Sequence, residues 1–232
     1  MTHALVTGAN RGLGLEFTRQ LLAQGARVIA ACRHPGRASD LTALACAHPG
    51  HLHVLPLDVA KPASVAELAR EAAMLFEHLD LLINNAGVLV AGERFGSVSA
   101  DNLDASFRSN AIGPLLLTQA FAPLLAQGKN ARVANLSSVM GSIAQTHEFR
   151  SPSYAVSKAA LNMVTVQLAH ALAAQGTTVV ALHPGWARTD MGGAQATVEP
   201  REAVAGMLRE IATLPQADSG AFRDWQGQAV AW

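Results

Sequence analysis

Short apolar runs alternate with longer segments of helical periodicity, from the first residues to beyond position 180. The runs are almost continuously hydrophobic, which is typical of parallel strands buried on both faces. They predict six strands: His3–Thr7, Arg27–Ala31, His51–Leu57, Leu79–Asn84, Ala131–Ser137 and Thr177–Leu182. The segments between them predict six helices: Gly12–Gln24, Ser39–Ala47, Ser64–His78, Ser99–Gln127, Pro152–Gln175 and Pro200–Leu214. This alternation predicts an α/β fold, a doubly wound parallel sheet with helices on both faces.

The pattern contains no internal repeat and no flexible linker, so we expect a single domain over residues 1–232. The late segment Ser219–Trp232 is a candidate for one more strand at the sheet edge. The longest uncharged run, Ser109–Gly128, approaches the length of a membrane span. Prolines and glutamines interrupt it, which favours a buried helix.

Composition narrows the function classes. Lysine and arginine total 17 and aspartate and glutamate total 17, so the chain lacks the net positive charge of a nucleic-acid or anionic-membrane binder. The two cysteines, Cys32 and Cys46, form neither a disulfide framework nor a metal-ligand spacing, and we expect no metal site. With no secretion signal at the N-terminus, we expect a cytoplasmic protein that acts on small molecules.

A glycine-rich turn joins the first predicted strand to the first helix: Thr7, Gly8, Ala9, Asn10, Arg11, Gly12, Leu13, Gly14. Glycines allow a tight turn and let backbone N–H groups approach a pyrophosphate at the positive end of a helix. A glycine cluster at this place is also compatible with a simple turn.

Two arginines bear on the choice of cofactor. Arg33 follows the second strand, where an acidic residue would bind a ribose 2′-hydroxyl and a guanidinium would accept a 2′-phosphate. Arg11 lies within the glycine turn, and no acid follows the second strand before Asp40. Two cations without a competing carboxylate favour NADP(H) over NAD(H). The alternative is that Arg33 is an ordinary surface arginine.

Tyr154 is the only tyrosine in the chain and Lys158 is one of three lysines. Their spacing of four residues places both on one face of a helix. An ammonium close to a phenol favours the phenolate, so we expect Lys158 to lower the pKa of Tyr154. The preceding strand ends near Ser138, whose hydroxyl can hold a carbonyl oxygen that Tyr154 protonates. The alternative is an ordinary amphipathic helix face.

With these motifs in order, the chain resembles the classical short-chain dehydrogenase/reductase family over nearly its whole length. The resemblance is carried by the glycine turn, by Asp58, by Asn84-Asn85-Ala86-Gly87, by Asn110, Ser138, Tyr154 and Lys158, and by Pro184-Gly185 followed by Thr189. The turn His183-Pro184-Gly185-Trp186, the stretch 160–165 and the short tail are similar to the C-factor and sniffer-type carbonyl reductase branch.

The resemblance implies a Rossmann-type domain that binds a nicotinamide dinucleotide, with Asn110, Ser138, Tyr154 and Lys158 as a catalytic tetrad. It implies that Asn110 holds a water linking Lys158 to solvent. The cofactor-binding residues that it implies, with those of the turn, are Gly8, Asn10, Arg11, Gly12, Leu13, Gly14, Arg33, Asp58, Val59, Asn85, Ala86, Gly87, Tyr154, Lys158, Pro184, Gly185, Ala187 and Thr189. Asp58 is assigned to the adenine, and Ala187 replaces the bulkier aliphatic residue usual at its position.

The implied reaction transfers a hydride between the nicotinamide and a carbonyl or secondary alcohol. Loops 139–153 and 186–200 are expected to select the substrate through apolar side chains: Met140, Ile143, Phe149, Trp186, Met191 and Val198. The main alternative is a dinucleotide-binding regulatory or signalling protein with little turnover. An epimerase or dehydratase would need a larger carboxyl-terminal domain.

The family's oligomers often use the helices around 99–127 and 152–175, so a homodimer or homotetramer is compatible with the chain, as is a monomer. The second helix carries apolar residues that suit either an interface or the subunit's own sheet: Leu161, Met163, Val164, Val166 and Leu168.

Overall fold

Seven parallel strands form one sheet in the computed structural model, which describes all 232 residues. The strands are β1 His3–Thr7, β2 Arg27–Cys32, β3 Leu52–Pro56, β4 Leu81–Asn84, β5 Arg132–Leu136, β6 Thr178–His183 and β7 Phe222–Asp224. Their spatial order is β3-β2-β1-β4-β5-β6-β7. The order reverses direction between β1 and β4, and in such sheets ligands bind at this point, beyond the carboxyl ends of the strands.

Seven α-helices cover the two faces of the sheet: α1 Gly12–Ala23, α2 Ser39–Ala47, α3 Pro62–Leu75, α4 Ala100–Phe107, α5 Gly113–Leu125, α6 Pro152–Leu172 and α7 Pro200–Thr213. Apolar side chains of α1, α2 and α7 pack on one face around Phe17. Those of α3, α5 and α6 pack on the other face around Phe121. Both rings are fully buried, and burying each contributes about 1.5–3 kcal/mol.

The predicted fold class is therefore confirmed, with all six predicted strands and the additional edge strand. β7, at Phe222–Asp224, pairs parallel with β6 within the segment for which a further strand was expected. Strand bounds agree with the prediction to within a few residues. The helix predicted to begin at Ser64 starts at Pro62 instead, because proline is favoured in the first turn of a helix.

The helix predicted over 99–127 is present but divided into two α-helices. A π-helical turn over Arg108–Ile112 separates α4 from α5, while the backbone remains helical at both junctions. The π-turn is centred on Asn110, and Pro114 follows it in the first turn of α5. π-turns of this kind often occur at functional sites.

A buried polar network attaches α6 to the centre of the sheet. Asn84 of β4 donates to the side chain of Asn135 of β5 at 2.8 Å, and Asn135 donates to the Thr165 hydroxyl of α6 at 2.9 Å. All three side chains are buried. Since an unpaired buried amide would be costly, this network fixes the register of α6 against the sheet and hence the place of the residues near its start.

The apolar residues of α6 differ in their exposure to solvent. Leu161 and Leu168 are buried in the subunit's own core, whereas Met163 is exposed. No helix of the structure combines the length and the apolar character needed to cross a membrane. No group of three or more histidine, cysteine, aspartate or glutamate side chains is placed to hold a metal ion.

Candidate active site

The glycine turn after β1 is packed against the end of β4. The Thr7 hydroxyl accepts from the backbone N–H groups of Asn85 and Ala86 at 3.0 Å each, and the Asn85 amide donates to the Thr7 carbonyl oxygen at 2.8 Å. Gly8 has a φ of +63°, and a Cβ there would lie 2.9 Å from the Ala86 Cα. A Cβ on Gly14 would collide with the Gly8 carbonyl oxygen. Both positions therefore require glycine.

The start of α1 has the features of an anion site. Its N-cap residue, Arg11, makes no side-chain capping hydrogen bond, and the first turn contains no acidic residue. The free N–H groups and the helix dipole together favour a negatively charged group there. Because Gly8, Asn10, Gly12 and Leu13 all line the adjoining cleft, this turn fits the pyrophosphate of a dinucleotide.

The cleft continues from the turn past the ends of β2 and β3. Arg33, Asp58, Val59 and Asn85 line this part, and Ala86 and Gly87 lie beside them. The Asp58 carboxylate accepts from the Ala60 N–H at 3.1 Å, so it also closes a local turn. These residues fit the adenosine half of a dinucleotide.

The expectation that no carboxylate competes for the two arginines is wrong for Arg11. Its guanidinium lies 3.0 Å from the carboxylate of Asp190, which comes from the loop after β6. Both side chains are mostly exposed, 68% and 78%. An exposed pair of this kind contributes at most about 1 kcal/mol, so it leaves Arg11 able to turn toward a phosphate. Arg33 makes no ion pair in the structure.

Tyr154 and Lys158 lie together in the first two turns of α6, and both are nearly inaccessible to solvent, at 8% and 5%. The Lys158 ammonium donates to the carbonyl oxygen of Leu136, at the end of β5, at 2.6 Å. It lies 5.5 Å from the centre of the Tyr154 ring. Both residues line the cleft, so the structure brings the predicted pair to the carboxyl edge of the sheet.

The expected lowering of the Tyr154 pKa is wrong. Burial raises the pKa of Tyr154 to about 12, and a side-chain hydrogen bond with Ser138 opposes this only in part. Burial likewise lowers the pKa of Lys158 to about 8. Desolvation dominates both pKa shifts because both groups are held in an apolar interior. Tyr154 is therefore a protonated phenol, a proton donor.

Asn110, in the π-turn, joins three segments. Its amide donates to the Val88 carbonyl oxygen and to the Ser157 hydroxyl, each at 2.9 Å, and its carbonyl oxygen accepts from the Val88 N–H at 2.8 Å. The Ser157 hydroxyl donates to the Tyr154 carbonyl oxygen at 2.7 Å. With its side chain fully committed, Asn110 supports the turn that carries Tyr154 and is not itself among the residues that line the cleft.

The loop after β6 is only partly placed as expected. Pro184 and Thr189 line the cleft, but Gly185 and Ala187 do not. Ala187 is buried, and a Cβ on Gly185 would meet the Trp225 ring at 2.9 Å. Gly185 packs against Trp225 of the carboxyl-terminal segment, and Ala187 pairs with Val198 of the same loop, so these two residues shape the loop.

Sequence reasoning missed several residues that line the cleft: Cys32, Leu57, Val88, Ser109, Leu136, Ser137 and Asp190. Most of them immediately precede or follow a predicted site residue at the end of a strand. Asp190 directly follows Thr189, but nothing in the sequence indicates its contact with the glycine turn.

The two loops expected to select the substrate carry exposed apolar side chains. Their exposed fractions range from 49% to 80%, for Trp186, Met191, Phe149 and Ile143. Phe149 lies edge-on against Phe95, which comes from the segment between β4 and α4, with ring centres 5.7 Å apart. Met191 also lines the cleft, and exposed apolar side chains of this kind are typical of surfaces that receive an apolar partner.

Comparisons with known proteins agree with this geometry. The family model described as short chain dehydrogenase matches residues 2–199. The "C-signal" of Myxococcus xanthus is 44% identical over 154 residues, which are 66% of this chain and 93% of that protein.

Two solved structures are similar over the whole chain. An NADPH-bound carbonyl reductase from chicken fatty liver has a TM-score of 0.95 and 40% identity, covering 100% of this chain and 99% of that one. The carbonyl reductase Sniffer of D. melanogaster has a TM-score of 0.95 and 30% identity, covering 100% of both chains.

Proposed function

The chain belongs to the short-chain dehydrogenase family and is an oxidoreductase, and from that premise we propose that it is an NADP(H)-dependent carbonyl reductase. The reaction interconverts a carbonyl compound and a secondary or primary alcohol. The observation that carries the proposal is the buried pair of Tyr154 and Lys158 at the carboxyl end of β5, facing the cleft that begins at the glycine turn.

The dinucleotide, when bound, supplies the hydride. The residues of this chain bind it and handle the proton. Tyr154, a neutral phenol whose pKa burial raises to about 12, donates its hydroxyl proton to the substrate oxygen as negative charge develops there. Ser138 donates a hydrogen bond to the same oxygen and holds it in line with the phenol.

Lys158 has two tasks in this proposal. Its ammonium is oriented by the Leu136 carbonyl oxygen at 2.6 Å, which leaves two of its three donors for a ribose hydroxyl and for the Tyr154 oxygen. After the proton leaves Tyr154, the ammonium stabilises the phenolate. Asn110 holds this turn in place through Ser157.

A preference for NADP(H) over NAD(H) is supported by Arg33, which lines the cleft without a carboxylate partner. The chicken carbonyl reductase, 40% identical to this chain, is described as bound to NADPH. A charge-assisted hydrogen bond to the 2′-phosphate contributes about 1.5–3 kcal/mol. Arg33→Ala is therefore expected to weaken NADPH binding about ten- to hundredfold and to leave NADH binding unchanged. Arg37→Ala, an exposed arginine outside the cleft, is the matched control.

The exposed apolar side chains of the substrate loops favour carbonyl compounds with hydrophobic groups. Phe149 with its partner Phe95, and Trp186 with Met191, are the side chains available for that part of the substrate.

A second candidate function is a cofactor-binding signalling protein, favoured by the 44% identity to the "C-signal" of Myxococcus xanthus. The deciding experiment follows the loss of nicotinamide absorbance with NADPH, then with NADH, against a panel of aldehydes, ketones and quinones. Consumption that depends on the carbonyl compound supports the reductase. NADPH binding without consumption of any panel member would refute it in favour of the signalling protein.

A further inference from the structure

The helix that carries Tyr154 begins in an unusual way. Its first residue is Pro152, and the preceding residue, Ser151, has left-handed backbone angles, with φ 42° and ψ 56°. Residues other than glycine rarely adopt this backbone conformation. The Ser151 side chain makes no capping hydrogen bond, and the first turn contains no acidic residue. The local sequence therefore leaves the N–H groups at the start of α6 without a cap.

The missing cap comes from a distant segment. One carboxylate oxygen of Glu93 accepts from the Ser153 N–H at 3.1 Å, and the other accepts from the Ser153 hydroxyl at 2.6 Å. Glu93 lies 60 residues earlier, between β4 and α4. Asn102 of α4 donates to the same carboxylate at 3.3 Å, which fixes its orientation. A carboxylate at this end of a helix also interacts favourably with the helix dipole.

The same segment reaches the opposite side of Tyr154. Val88 exchanges hydrogen bonds in both directions with Asn110, and Asn110 connects through Ser157 to the Tyr154 carbonyl oxygen. Residues 88–93 thus hold the turn that contains Tyr154 from before and from behind. Because hydrogen bonds hold the backbone on both sides of Tyr154, its side chain has little freedom to shift.

We propose that Glu93 is a positioning residue for the proton donor, capping the catalytic helix through Ser153 and thereby setting where the Tyr154 hydroxyl stands over the cleft. Glu93 touches neither substrate nor cofactor in this proposal and acts through the helix. The kinetic part rests on the proposed reductase function. The placement of Tyr154 does not, because it can be observed in the protein without substrate.

The test compares Glu93→Ala with Glu93→Gln. Alanine removes both acceptors and is expected to lower kcat about tenfold or more, because small displacements of a reacting group are costly. NADPH affinity is expected to stay within about threefold, since the glycine turn is untouched. Glutamine keeps an oxygen that accepts from the Ser153 N–H and is expected to restore most of kcat. Glu67→Ala, which removes an exposed carboxylate paired with Arg70 on α3, is the matched control and is expected to change nothing.

A spectroscopic measurement separates positioning from general stability. Because the chain has one tyrosine, tyrosinate absorbance reports Tyr154 alone. Release of the first turn exposes the ring, so Glu93→Ala is expected to move the Tyr154 pKa from about 12 toward the ordinary 10.0. An unchanged titration together with kcat within twofold of wild type would overturn the proposal. So would a parallel loss of kcat and NADPH binding that Glu93→Gln does not repair.

If Glu93→Ala does not fold, Ser153→Ala carries the test, since it removes only the hydroxyl contact. It is expected to lower kcat about threefold and to shift the titration part of the way, and no change in either would overturn the proposal. If the wild-type protein consumes no NADPH with any carbonyl compound, the reductase function fails. The titrations of the same variants then still decide the role of Glu93.

Discussion

Replacing Tyr154 with phenylalanine removes one oxygen atom from the cleft and keeps the volume of the ring. The ring is 8% exposed and lies within the first turn of α6, so phenylalanine fits the same space. The lost hydroxyl interacts with the Ser138 side chain. A single hydrogen bond contributes about 0.5–1.5 kcal/mol to stability, which corresponds to a change in Tm of at most about 6 °C for a chain of this size.

The effect on turnover is expected to be much larger than the effect on stability. Removal of a positioned proton donor lowers the rate about 10²- to 10⁴-fold, or about 3–5.5 kcal/mol of activation free energy. NADPH binding should persist, because the glycine turn and Arg33 lie apart from the lost oxygen. Activity followed by NADPH oxidation, with NADPH affinity from fluorescence titration and Tm from calorimetry, measures all three quantities.

Thr213→Val is the control, since it removes a hydroxyl that donates only to a backbone carbonyl at the end of α7. It is expected to leave turnover unchanged. A Tyr154→Phe protein that keeps more than a tenth of the wild-type kcat would refute the assignment of Tyr154 as the proton donor. A folded variant that no longer binds NADPH would also refute it, because the phenol would then be a binding group.

Three further outcomes are expected. The Cβ of Gly14→Ala would collide with the Gly8 carbonyl oxygen, so this variant is expected to lose about 1–3 kcal/mol of stability and to lose NADPH binding in calorimetric titration. Gly36→Ala, with no atom within 4 Å of its Cβ, is the control and is expected to be neutral. Normal NADPH binding by Gly14→Ala would contradict the packing of the turn. Burial lowers the pKa of His183 from 6.5 to about 4, so its contribution to stability is complete above pH 6.5 and declines by roughly 1 kcal/mol per pH unit as the pH falls toward 4. Denaturant unfolding should therefore give a steeper dependence of the unfolding free energy on pH for wild type than for His183→Gln over this range. Equal dependences would argue against the pKa shift. Burial lowers the pKa of Lys158 to about 8, and kcat/KM for NADPH reports ionisable groups of the free enzyme. We therefore expect kcat/KM for NADPH to be constant below pH 8 and to fall above it. A profile that stays level to pH 9.5 would count against a charged Lys158 in cofactor binding.

The fold and the composition of the site were accessible from the sequence because they depend on short segments. Apolar runs of strand length, helical periodicity and glycines at turns reflect local backbone preferences, and together they predicted the parallel sheet and its edge strand. The spacing of Tyr154 and Lys158 placed both on one face of α6 without knowledge of any other element. The order of strand ends then predicted that the glycine turn, Ser138 and this pair would meet at one edge of the sheet.

Other properties depend on groups that are far apart in the chain. The Arg11–Asp190 pair joins residues separated by 179 positions, and the Glu93–Ser153 contact joins residues separated by 60, so neither has a local signal. The direction of the Tyr154 pKa was predicted wrongly because sequence spacing reveals the nearby ammonium but not the loss of solvent. Periodicity and turn chemistry are properties of neighbouring residues, whereas desolvation, ion pairing and remote capping arise only when packing brings separate segments together.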